Sequence, residues 1–219
     1  LQLARPESYP VGKVDFLTLE PMTFTEFLLA QGETGLVDCL RNWSELEPLP
    51  NLLFEPLSTK LRHYQTVGGM PEAVSAWCER QDLKTAREIQ HSIMEAYRQD
   101  VFSHADAVEV PKIQRIWQSL PRQLSRENNR FRYSEVEPRS NARKYGDALQ
   151  WLIDARMVRC VHRITIPGIP LSAYEDPGSF KIYFVDIGLF ARVCGIDPVV
   201  LQEEPALYRE MKGAMAENL

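Results

Sequence analysis

Nowhere in the 219 residues is there an apolar run of the roughly 18 that a membrane-crossing helix needs. The start, Leu1-Gln-Leu-Ala-Arg5-Pro-Glu7, has no basic-then-apolar leader, so nothing marks the chain for secretion and the expectation is a cytoplasmic protein. Cysteine is sparse. Cys39, Cys78, Cys160 and Cys194 lie far apart with no Cys-x-x-Cys pair, which reads as reduced, buried thiols, with two disulfides in a secreted domain as the alternative. A phosphate-binding loop is missing as well. The only Gly-Lys pair, Gly12-Lys13, is followed by Val14 and has Glu7 where the first glycine belongs, so the backbone cradle and the Mg²⁺-binding hydroxyl are both absent. His63, His91, His104 and His162 form no His-Glu-x-x-His pattern, and His104-Ala-Asp106 reads as a solvated turn rather than a ligand pair. No Gly-x-Ser-x-Gly elbow offers a nucleophile. The chain by itself is therefore expected to carry no catalytic set, no metal site and no cofactor.

What is present is ordinary in bulk and uneven in detail. Hydrophobic residues are 44% and charged residues 25% of the chain, and the net charge is −5. Yet Lys112 to Arg163 holds twelve basic and five acidic residues, a segment of +7, while the remainder is −12. The average charge argues against nucleic acid; this segment permits it.

Local patterns suggest mainly helical text. Val14–Leu19 reads as a short strand. Thr23 and Glu26 form a capping box for a helix Phe24–Ala30 that ends at Gln31-Gly32. Residues 35–56 read as irregular, with Pro48, Pro50 and Pro56 breaking any helix. Helices follow over Leu57–Val67, Pro71–Arg80 and Asp82–Asp100, the first two separated by Gly68-Gly69-Met70-Pro71. From Pro111 the grammar changes. A helix with Ile113, Ile116, Trp117, Leu120 and Leu124 on one face precedes an extended piece, Arg130–Ser134. Next come a helix Ala142–Arg156 and two strands, Met157–Ile164 and Lys181–Val185, joined by a Pro/Gly-rich connection. A closing helix spans Asp186–Cys194.

That order predicts a winged helix over residues 110–195. Ser140, Arg143, Lys144 and Asp147 are expected to face away from Tyr145, Leu149 and Leu152. With Arg139 before the helix and Arg159 and Arg163 on the strand, they are the candidates for contacting nucleic acid, the arginines holding its phosphates. The same basic surface suits a protein partner or internal pairing with acids elsewhere in the chain.

Four ordered blocks carry a resemblance. They are Tyr9–Leu28, Tyr64-x-x-x-Gly-Gly-Met-Pro-Glu-Ala-Val74, Phe180–Leu189 and Gly213–Asn218. They resemble prokaryotic AAA-superfamily predicted ATPases that carry the C-terminal domain of unknown function 4143. The resemblance spans nearly the whole chain and implies an internal piece of a larger protein. A phosphate-binding loop and Mg²⁺ motif would precede Leu1, and a nuclease-like module would follow Leu219. It implies a remnant of the ATPase core and linker at 1–56, a helical lid-like subdomain at 57–109, the winged helix at 110–195, and the start of the nuclease-like module at 196–219. It also implies that Gly69, Met70 and Pro71 touch adenine in the parent, which would bind ATP and Mg²⁺ and be an ATPase. The implied partners are the missing parts of the same protein and DNA through residues 110–195, with no membrane partner and an oligomer as one assembly. The lysine of Gly12-Lys13 replaces a frequent arginine and cannot make a bidentate contact, so no arginine finger carries over. A stand-alone winged-helix DNA-binding module, or a protein-binding adaptor of a defence or toxin–antitoxin system, is the alternative.

Overall fold

The computed structural model describes residues 15, 17–44, 48–125, 130–196 and 212–219. As the sequence predicts, they are mainly helical with one small antiparallel hairpin. The chain divides into two compact units, Glu20–Met94 with Asp186–Leu219, and Leu1–Leu19 with Glu95–Val185. The sequence placed boundaries at 56/57, 109/110 and 195/196; the compact units change at Leu19/Glu20, Met94/Glu95 and Val185/Asp186.

In the helical unit, α1 (Phe24–Ala30) begins with the expected box: the Thr23 hydroxyl accepts the Glu26 N–H, and the Glu26 carboxylate accepts the Thr23 N–H at 2.7 Å. Gly32, at φ +77°, takes the left-handed conformation that lets the chain leave the helix. The stretch expected to be irregular contains α2 (Thr34–Asn42) and the start of α3 (Asn51–Val67), with Pro56 inside α3. Proline removes one backbone bond, but packing overrides that loss. Leu57 is buried with Leu28 and Val37, and Leu53 and Leu40 pack against the same cluster. Each such side chain contributes about 1.5–3 kcal/mol. α4 (Pro71–Arg80) starts on its proline as expected, and the Asp82 carboxylate accepts the Lys84 and Thr85 N–H groups to cap α5 (Leu83–His104). The closing helix, α9 (Ile187–Val193), packs on α3, and a further helical stretch covers 212–217.

Of the strand expected at Val14–Leu19, Val14 and Phe16 lie outside the described residues. Asp15 and 17–19 carry no regular structure, and Leu17 and Leu19 are 86% and 87% exposed. A lone strand without a sheet has no backbone partners to fix it.

The second unit runs helix, bridge, helix, helix, hairpin. α6 (Val110–Leu124) buries Ile113, Ile116, Leu120 and Leu124 and packs on both α7 (Tyr133–Val136) and α8 (Ala142–Asp154). Strands β1 (Val158–Ile164) and β2 (Glu175–Phe184) pair antiparallel, Val158 opposite Phe184 and Cys160 opposite Ile182. Arg130 bridges to Lys181, so the short extended piece joins the edge of the hairpin. Buried Gln123 fixes that piece by accepting the Arg132 N–H at 2.8 Å. Trp117 meets Phe184 edge-on at 5.0 Å.

Candidate functional site

The period of α8 sorts its residues onto two faces. Tyr145, Ala148, Leu149 and Leu152 are buried, while Ala142, Arg143, Lys144 and Asp147 are exposed. The first turn carries two cations and no acid, and the N-cap residue, Asn141, makes no side-chain capping bond. Cations at a helix N-terminus oppose its dipole, so this end favours an arriving anion. Just before it, Arg139 is exposed with φ +62°, a left-handed conformation costly for a residue with a Cβ. Ser140 is half-buried and donates its hydroxyl to the Tyr133 carbonyl, so it shapes the turn.

Glu137 anchors this corner. Its carboxylate accepts from Lys144 Nζ at 2.8 Å, Arg115 at 2.9 Å and the Tyr145 hydroxyl at 2.5 Å. The Lys144 and Tyr145 hydrogen bonds hold its pKa down to about 2. Lys144, expected as a free phosphate ligand, thus begins in an ion pair, whereas Arg139 and Arg143 stand out from it as exposed side chains. Sequence reasoning missed Arg115 and Glu137 because the pairing joins three separate elements.

Arg159 and Arg163 are both exposed on β1. Arg163 also lines a concavity of about 460 Å³ formed with Arg130, Val161, His162, Ser179, Phe180 and Lys181. Four rings gather there. Phe131 stacks on Phe180 at 5.6 Å and 20°, Tyr133 meets Phe180 edge-on, and His162 is tilted against it at 5.6 Å. His162 Nδ1 lies 3.8 Å from Glu175. Burial, with the nearby Glu175 charge, raises the Cys160 thiol's pKa, so it is no ready nucleophile. The excess of Phe and Tyr around Arg130–Tyr133 was the available sequence signal for this cluster.

The Gly69-Met70-Pro71 loop lies in the helical unit. The Gly69 N–H donates to Asp186 Oδ2 at 2.6 Å, and its carbonyl accepts the Met22 N–H at 2.7 Å. A Cβ on Gly69 would lie 2.0 Å from the Met22 carbonyl oxygen, and one on Gly68 2.3 Å from Asp186 Oδ1. Asp186 is buried and caps α9 through the Leu189 N–H at 2.8 Å. Burial raises its pKa against the opposing pull of the Gly69, Leu189 and Gly188 N–H groups. Fully buried Gln90 donates to the Thr66 and Val67 carbonyls at 2.8 and 2.9 Å, satisfying the end of α3. Met70 is half-buried and Pro71 exposed. Both backbone polar groups of Gly69 are thus used inside the fold. Among the described residues no three His, Cys, Asp or Glu side chains gather as a metal site, and no helix is long and apolar enough to cross a membrane.

Residues 58–199 match the model of a family described as Domain of unknown function (DUF8612), and the chain belongs to that family. No curated protein and no solved structure matches it.

Proposed function

We propose that, in this DUF8612 member, residues 110–185 act as a winged-helix module that binds nucleic-acid backbone. In this reading residues 57–109 are the helical lid of a larger AAA-type ATPase. ATP with Mg²⁺ belongs to the parent protein. Met70 and Pro71 pack on adenine there, and nucleotide state is coupled to the bound partner. The observation that carries the nucleic-acid reading is the start of α8, where Arg139 and Arg143 stand exposed at the positive end of a helix dipole, beside a Lys144 that Glu137 holds. Phosphate relieves that arrangement. Arg139 before the helix and Arg159 and Arg163 on β1 extend the same charge. Titration of a short DNA duplex at rising salt tests this. Affinity should fall with a log–log slope of about −0.9 per phosphate contact, and no binding at low salt would remove the reading.

A second reading, a protein-binding adaptor, is favoured by one observation. Ile166, Ile169 and Leu171 at the hairpin tip are 58%, 96% and 60% exposed, an apolar tip of the sort that contacts protein. An Ile169→Glu change that left DNA binding intact but abolished capture of a partner would favour it.

A further inference from the structure

The concavity beside the hairpin has a chemistry that the duplex reading leaves unused. Its lining of Arg130, Val161, His162, Arg163, Ser179, Phe180 and Lys181 includes three cations, and the Glu175 carboxylate lies 3.8 Å from His162. Phe180 and His162 add aromatic surface to the same wall, and Phe131 and Tyr133 brace Phe180 from behind the lining. Cations beside the exposed His162 ring and the half-buried Phe180 ring suit a ligand that is both anionic and planar. A nucleotide within a strand fits, provided that its base is unstacked, because a base paired inside a duplex offers no ring face.

We infer that this concavity is a subsite for an unpaired nucleotide, its phosphate on Arg163 and Lys181 and its base against His162 and Phe180. The preferred substrate is then a duplex with a single-stranded extension. Duplex held at α8 and an unpaired nucleotide held at the hairpin then meet at β1, where Arg163 lines the concavity. The inference rests on the nucleic-acid reading above, and its test separates the two.

Fluorescence anisotropy is measured with four probes: a blunt duplex, the same duplex with an oligothymidine tail, the same duplex with an abasic tail, and the free oligothymidine strand. The tailed duplex should bind about tenfold tighter than the blunt one, the scale of one stacked base. The abasic tail keeps the phosphates and should lose most of that gain. His162→Ala, at a half-exposed strand position, should abolish the gain and leave blunt-duplex affinity unchanged. Equal affinity for tailed and blunt duplexes overturns the subsite while leaving the duplex reading standing. An abasic tail as good as thymidine overturns base stacking. Binding of the free strand with no added affinity from the duplex supports the subsite and overturns the α8 reading. No binding of any probe overturns both.

Discussion

The carboxylate of Asp186 accepts the Gly69 N–H at 2.6 Å, joining residues 117 positions apart. The same carboxylate caps α9 through Leu189, and the Gly69 carbonyl holds Met22. One buried acid therefore closes a turn, starts a helix and fixes the approach of the chain to α1.

Replacing Asp186 by Ala leaves the Gly69 N–H without its acceptor and α9 without its cap. We expect a loss of about 2–4 kcal/mol in denaturant unfolding. Asp186→Asn keeps an acceptor and should cost less. Equal losses would show that the carboxylate's hydrogen bonds are not what the site needs.

Gly69→Ala drives a methyl group into the Met22 carbonyl, 2.0 Å from the ideal Cβ. The backbone must move, at about 1–3 kcal/mol or more. Gly35, whose Cβ would meet nothing within 4 Å, is the control: Gly35→Ala should leave the melting temperature unchanged or raise it.

Glu137 gives a pH signature. Its pKa is pulled down from 4.5 to about 2, first by Lys144 and then by Tyr145. The unfolded chain takes up the proton first as pH falls, so the stability from this corner is complete above the ordinary value and is lost as pH drops towards 2. Wild type should therefore exceed Glu137→Gln in stability near neutral pH, and the two melting curves should converge on acidification. A constant gap down to low pH contradicts the ion-pair account.

Much of the fold was legible because its signals are local. The Thr23/Glu26 box, Pro71 at the start of α4 and the alternation over Val158–Ile164 each concern a few adjacent residues. What was missed depended on distant partners. Pro56 reads as a helix breaker, yet Leu53 and Leu57 pack on the α1–α2 cluster and the helix runs through it. Strand β2 starts at Glu175, six residues before the predicted Lys181, because a shift in register between His162 and Arg163 accommodates Pro177-Gly178-Ser179 without partners on β1. The basic candidates were visible as a charge count, whereas Glu137's hold on Lys144 was not. That contact depends on the turn between α7 and α8 bringing the two together.

Core packing in the second unit gives a plainer test. Leu152 and Ile116 are fully buried on α8 and α6, and those helices pack on one another. Truncating either to Ala should cost about 2–5 kcal/mol by equilibrium unfolding. A smaller loss would mean that the helix pair is not the core that positions Arg139 and Arg143.

The most direct measurement of the central claim is a backbone NMR footprint of duplex DNA on the whole chain. The account predicts shift changes concentrated at Arg139–Asp147 and at Arg159 and Arg163, weakening as salt is raised, with Arg139→Ala and Arg143→Ala each lowering the salt slope by about one unit. Changes confined to Ile166–Leu171, or spread over the helical unit with α8 silent, would contradict it.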